Sequence, residues 1–172
     1  MAIKLLAVSL PLLVLSIAVI STAADEKGQP LITKVCGATE FPDFCTSALK
    51  SDPRSSSADV KGLSRIALEF SATKAKEAAG VASKLMQNSS GYVDWSKRTT
   101  CFDGYNSTAD RIKGEGLKYF EEGNYKKAYQ IVNLLTDDIK YCTSFGVPQL
   151  VETNTMLSKV ISVVKTILHL LL

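Results

Sequence analysis

The chain has 172 residues, with 20 Lys+Arg, 17 Asp+Glu, four Cys and one His, and 46% of it is apolar. That length suits one domain with a real core, while a formal charge of +3 is too small to argue for nucleic acid or an anionic membrane surface. One histidine and four cysteines leave little material for a His-based catalytic site or a transition-metal site, which weakens most enzyme readings.

Met1 to Lys4 form a short basic start, and Leu5 to Ile20 is an apolar run broken only by Ser9, Pro11 and Ser16. Ser21-Thr22-Ala23-Ala24 then supplies small residues at a cleavage point, the layout of a secretory signal peptide. A membrane anchor is the competing reading, but the run is short, Pro11 sits inside it and the following flank is small rather than basic. The expected division is a signal peptide at 1–24 and one domain at 25–172, with no membrane attachment after cleavage. Without the leader, about 41% of the remaining residues are apolar, a globular composition, and the formal charge drops to about +2.

Export changes how the cysteines read. An even count in an oxidising compartment implies two disulfides among Cys36, Cys45, Cys101 and Cys142. Three pairings are possible, and the economical one joins Cys36 to Cys45 and Cys101 to Cys142. A zinc site is disfavoured because no CxxC pair exists and the single His is remote in sequence.

Around the first two cysteines, two short helices fit, with Gly37-Ala38-Thr39 ending the first and Pro42 opening the second. They form a hairpin over about 30–52, and Ser51 to Ser57 reads as a polar linker. Residues 54–147 contain no proline, and their Ala-rich and Lys/Glu-rich stretches read as helices. The first helix opens near Ser57 and carries Val60, Leu63, Ala67 and Phe70, then an alanine-rich stretch to Val81 and Leu85. Phe102, Tyr105, Ala109, Ile112, Gly116 and Tyr119 mark the second, at alternating spacings of three and four. Tyr125, Ala128, Val132, Leu135, Ile139 and Cys142 mark the third, and Leu157, Val160, Val164, Ile167 and Leu171 the fourth. Each set falls on one helix face. Breaks at Asn88–Gly91, Gly123 and Gly146 are short, which favours antiparallel neighbours. The predicted fold is all-α: an up-and-down four-helix bundle over about 57–172, preceded by a disulfide-stapled α-hairpin. Val160 to Leu172 is apolar enough to suggest a cleaved lipid-anchor tail, but Lys165 and His169 interrupt it at i, i+4, as on the solvated side of a bundle helix.

Chemistry-bearing constellations are sparse. Glu121-Glu122 and Asp137-Asp138 are adjacent pairs, which point about 100° apart on a helix and cannot flank one substrate bond; they read as solvated faces and a helix end. No G-x-S-x-G elbow or Gly-rich phosphate loop appears, and His169 lies near the end of the sequence. The chain is read as non-catalytic, with no cofactor and no small-molecule substrate. Gly116, Tyr119 and Ala128 fall at tetratricopeptide spacings, but such a repeat works only in tandem and no second copy lies 34 residues away. Two sequons, Asn88-Ser89-Ser90 and Asn106-Ser107-Thr108, are candidate glycosylation sites in an exported chain; the first lies in a polar break, the second inside a helical pattern.

Cys36-Gly-Ala-Thr-Glu-Phe-Pro-Asp-Phe-Cys45, then Leu49-Lys50-Ser51-Asp52-Pro53-Arg54-Ser55 and Asp59-Val60-Lys61-Gly62-Leu63, form a run with a recognisable order. Thr100-Cys101, Gly123-Asn124-Tyr125 and Leu135-Thr136-Asp137 continue it up to Cys142. Together with the secretion signal, this pattern resembles the plant invertase and pectin methylesterase inhibitor family over essentially the whole exported chain. The resemblance implies the same disulfide pairing that loop length favours.

It also implies function by binding: a one-to-one complex with a carbohydrate-active enzyme of the apoplast, or alternatively the vacuole, that covers the enzyme's active-site cleft. Pectin methylesterase inhibitors of this family lay bundle helices across the cleft, whereas invertase inhibitors use a Pro-Lys-Phe bend between the second and third bundle helices. That bend aligns here with Tyr125-Lys126-Lys127, so only the lysine matches; a rigid turn and an apolar anchor are both replaced. The expected partner is therefore pectin methylesterase, with acid invertase as the alternative. Thr143-Ser144-Phe145 after the fourth cysteine replaces the family's usual Glu-Asp-Phe, so a diverged bundle inhibiting neither enzyme is a third reading. The expected contact surface is the exposed side of the second and third bundle helices, including Asp110, Lys113, Tyr125, Lys126 and Lys127.

Overall fold

The computed structural model describes residues 26–172, so the signal peptide expected at 1–24 lies outside the described residues. Seven α-helices follow in order: α1 (Gln29–Gly37), α2 (Pro42–Lys50), α3 (Val60–Gln87), α4 (Tyr92–Arg111), α5 (Leu117–Glu121), α6 (Tyr125–Ser144) and α7 (Val151–His169). No strand occurs among the described residues. A π-helical turn at Ile112–Gly116 joins α4 to α5, so the two form one arm of the bundle. The arms α3, α4–α5, α6 and α7 run up and down, with α3 against α4, α4 against α6, α6 against α7, and α7 back against α3. This is the four-helix bundle that the spacing of apolar residues predicts.

The N-terminal hairpin is pinned at two points. Cys36 and Cys45 are bonded, with Cα atoms 5.5 Å apart. Gly28, at φ +64°, precedes α1 and donates its N–H to Ala58 O at 3.1 Å. A Cβ on Gly28 would lie 2.1 Å from Ser56 O, so only glycine permits this contact. Leu31, Ile32 and Val35 from α1 and Leu49 from α2 bury their side chains. The Phe44 ring meets Phe70 of α3 edge-on at 6.3 Å.

Helix ends follow local chemistry. Pro42 opens α2, where its missing N–H costs nothing. Asp59 caps α3 by accepting from Gly62 N–H at 2.7 Å, and Asn124 caps α6 by accepting from Lys127 N–H at 3.2 Å. Positive φ at Gly123 (+75°) and Gly146 (+62°) provides the left-handed residues after α5 and α6. Cys101 and Cys142 join α4 to α6 with Cα atoms 5.1 Å apart.

The structure departs from the sequence reading in four places. First, α3 starts at Val60 rather than near Ser57, because Asp59 is its cap; Ser51–Ser57 is no loose linker, since Pro53–Ser57 forms a 3₁₀ turn that buries Ser55. Second, Val81 is 40% exposed, and the interior of α3 is filled by Ala75, Ala78, Ala79 and Ala82, small side chains that admit a close neighbour helix. Third, Phe120 rather than Tyr119 is fully buried. The π turn inserts about one extra residue per turn, which rotates the stripe by one position. Fourth, Asp138 is half-buried between α4 and α6, not on a solvated face; Thr108 Oγ1 donates to it, and Gly104 leaves it room, since a Cβ there would meet Asp138 Oδ1 at 3.0 Å.

Candidate functional site

The five residues expected to touch a target fall on two surfaces rather than one. Asp110 and Lys113 line a groove between α3 and the α4–α5 arm, of about 390 Å³, floored by Ala72, Ala109 and Leu117. Lys76 of α3 crosses this groove: its ammonium lies 3.1 Å from Asp110 Oδ1 and donates to Asn106 Oδ1 at 2.7 Å. Asp110 is thus tied to the first bundle helix, and its surface belongs to α3 and α4 rather than to α4 and α6.

Tyr125, Lys126 and Lys127 form the other surface, at the turn where α5 gives way to α6. The Tyr125 ring folds back on Phe120 with centroids 5.3 Å apart. Lys127 holds its ammonium 4.8 Å above the Tyr119 ring, a cation–π contact made possible because the Asn124 cap turns the first residues of α6 toward α5. Lys126 stays exposed beside Gly123, Leu171 and Leu172. The turn therefore presents a cation over a half-buried aromatic base.

Charge is organised nearby. Arg54 pairs with Asp52 at 2.5 Å and also with Glu69, which Arg65 reaches at 3.0 Å; Arg65 pairs in turn with Glu121 at 2.6 Å. The hydrogen bond from Arg54 holds the Asp52 carboxyl below its usual range. Burial pushes Glu69 upward, but the hydrogen bonds from Arg54 and Arg65 outweigh it and hold that carboxyl low as well. Asp138 behaves oppositely: burial raises its pKa, Asp137 adds to the rise, and the Thr108 hydrogen bond and Arg111 only partly offset it.

Among the described residues, no group of three or more His, Cys, Asp or Glu side chains is placed to hold a metal ion. His169 is exposed at the last turn of α7. No helix among the described residues is long and apolar enough to cross a membrane. The two sequons differ in setting. Asn88 is exposed just past the end of α3, whereas Asn106 is engaged by Lys76 and its sequon partner Thr108 is buried.

Three exposed residues are not marked by the sequence pattern. Lys76 lies 34 residues before its partner Asp110, a separation that no local pattern reveals. Tyr92 and Trp95 are exposed at the start of α4; the available signal was two aromatics preceding the first apolar position of that helix's stripe.

The family described as plant invertase/pectin methylesterase inhibitor matches residues 30–167. A pectinesterase inhibitor of Actinidia deliciosa is 30% identical over 119 residues, 69% of this chain and 64% of that protein. The cell wall / vacuolar inhibitor of fructosidase 2 of Arabidopsis thaliana is 36% identical over 84 residues, 48% of this chain and 47% of that protein. In each case the match spans less than two thirds of the curated relative's own length. Two crystal structures share the fold. A mutant form of an Arabidopsis pectin methylesterase inhibitor superposes with a TM-score of 0.67 at 14% identity, covering 80% of this chain and 95% of that one. A pectin methylesterase inhibitor from Arabidopsis thaliana gives 0.60 at 15%, covering 84% and 97%.

Proposed function

The chain belongs to the plant invertase/pectin methylesterase inhibitor family, and from that premise we propose that it is a secreted inhibitor that binds pectin methylesterase one-to-one and covers its active-site cleft. The observation that carries the choice of target is the first turn of α6. A Pro-Lys-Phe bend would offer a rigid turn and an exposed apolar ring. Here Tyr125 is folded onto Phe120, and the third position is Lys127, whose ammonium sits over Tyr119. An invertase cleft would lose its apolar anchor on this turn. The pectinesterase inhibitor of Actinidia deliciosa, aligned over 69% of this chain, supports the same choice.

Docking uses helix faces, with Asp110 and Lys113 on the α3–α4 groove and Lys126 and Lys127 at the α5–α6 turn as contact residues. The leader at 1–24 carries the chain to the cell wall. Inhibition of acid invertase is the second reading, favoured by the likeness to the fructosidase inhibitor. Co-elution distinguishes them: the secreted protein is mixed with pectin methylesterase or acid invertase near pH 5.5 and passed over a sizing column. The reading requires a complex with the esterase alone, and a complex with the invertase alone overturns it.

A further inference from the structure

Exposed apolar area concentrates at the start of α4, where Tyr92 is 79% exposed, Val93 67% and Trp95 43%. The Tyr92 and Trp95 rings stand one helical turn apart and nearly parallel, with centroids 6.1 Å apart and planes 29° from each other. They form an exposed, stacked aromatic pair that serves as a platform at the start of α4. Adjacent exposed aromatic side chains of this kind offer an amphipathic contact surface.

The segment leading into the platform contains the sequon Asn88-Ser89-Ser90. Four residues of chain reach at most about 14 Å, so Asn88 cannot lie far from Tyr92. Arg98 draws it closer: its guanidinium donates to Leu85 O at 2.5 Å and Asn88 O at 3.3 Å, and pairs with Asp94 at 2.9 Å. Asn88 is thereby held beside the first two turns of α4. Its own amide donates to Lys84 O at 3.1 Å, a bond that the one remaining N–H can still make after substitution.

We propose that Asn88 carries an N-linked glycan whose first sugar rings lie on the Tyr92–Trp95 platform. This rests on the reading that the chain enters the secretory pathway. The donor is a lipid-pyrophosphate-linked oligosaccharide: Asn88 Nδ2 bonds to the anomeric carbon, the carbon–oxygen bond to the pyrophosphate breaks, the lipid pyrophosphate leaves, and the amide gives up one proton. A pyranose has one face made largely of C–H groups, which suits the electron-rich face of an aromatic ring. Each such contact is weak, but a covalently tethered sugar has an effective concentration on the order of millimolar, which a free ligand or partner lacks. At Asn106 the nitrogen that would be substituted, Nδ2, instead faces Asp110 Oδ2 at 3.5 Å inside the α3–α4 groove, beside the Lys76–Asp110 pair.

The test exploits Trp95, the only tryptophan in the chain, whose emission reports on the platform directly. The protein is secreted from a plant cell host behind its own leader and, in parallel, behind a leader from a host protein. Intact mass and peptide mapping give the occupancy of Asn88 and Asn106, with Asn88→Gln as the control. Emission and acrylamide quenching are compared before and after enzymatic removal of the glycan. The expected result is an occupied Asn88 and, on removal, a red shift with a rise of about twofold in quenching. Tyr92→Ser should keep the glycan but reduce that difference. Failure of the native leader alone, with export by the host leader, contradicts the secretion reading and leaves the glycan measurable. A secreted protein with Asn88 unmodified overturns the proposal, and so does an occupied Asn88 whose removal leaves Trp95 emission and quenching unchanged.

Discussion

The hydroxyl of Tyr105 in α4 donates to Asn154 Oδ1 of α7 in the middle of the bundle, and both residues are buried. Asn154 Nδ2 continues the chain to Thr143 Oγ1 of α6 at 3.1 Å, immediately beside the Cys101–Cys142 bond. Three arms are thus tied by one polar path, and burial pushes the Tyr105 phenol well above its ordinary 10.0. Tyr105→Phe leaves Asn154 Oδ1 buried without a donor and should cost about 1–3 kcal/mol of stability. Denaturant unfolding checks this as a lower midpoint with an unchanged slope. Tyr105→Phe with Asn154→Leu should cost less than the two single changes added together.

The Cys101–Cys142 bond closes the longer loop and constrains the unfolded chain more. Chain-entropy estimates give about 4 kcal/mol for this bond and about 2.7 kcal/mol for Cys36–Cys45. Replacing Cys101 and Cys142 together by serine should therefore lower the unfolding free energy more than the same change at Cys36 and Cys45. Equal losses would mean that native packing, not loop closure, sets the difference.

Acid acts on the bundle with two opposite signs. The folded chain holds a proton on Asp138 more tightly than the unfolded chain, whose ordinary value is 3.8. That contribution is full below the unfolded value and is lost as pH rises through the folded one. Asp138→Asn should consequently add more stability at about pH 7 than at about pH 3. Asp52 and Glu69 are lowered instead, so their stabilisation is present above their ordinary 3.8 and 4.5 and is lost as pH falls through the folded-state values. Arg54→Ala should then destabilise the protein more at about pH 7 than at about pH 2.5, as thermal unfolding across pH would show.

Much of this fold is legible because a helix bundle writes its core as a period. Leu63, Ala67, Tyr105, Ile112, Val132, Leu135, Leu157, Val164 and Ile167 all sit on predicted stripes and all are buried. What escaped depends on contacts between arms. Phe120 takes the core position expected of Tyr119 because a π turn rotates the helix, and nothing in the spacing announces that turn. Asp138 looks like one of two surface acids until Gly104 and Thr108 arrive from α4. The sequence groups the candidate docking residues on one surface, yet Asp110 is drawn to Lys76 of α3 while Tyr125 leans on Phe120 of α5. Long-range partners of this kind are invisible to local pattern.

The two surfaces make separable predictions for target binding. Charge reversal at the groove, Asp110→Lys with Lys113→Glu, should weaken inhibition of pectin methylesterase roughly tenfold and reduce its salt dependence, as for charged rim contacts. Lys76→Ala is the control, because it frees Asp110 without changing its sign. Lys126→Glu with Lys127→Glu tests the turn in the same assay. A loss confined to one pair identifies the face that meets the enzyme, and two unchanged affinities would remove both from the interface.

The central claim is that this bundle stops an esterase by covering it, one molecule for one. The direct measurement is titration of a fixed amount of pectin methylesterase activity with the purified protein near pH 5.5, with acid invertase titrated alongside. The account predicts a linear fall in esterase activity that breaks at equivalence, with invertase activity untouched. Full esterase activity in the presence of a large excess of the folded protein would contradict it.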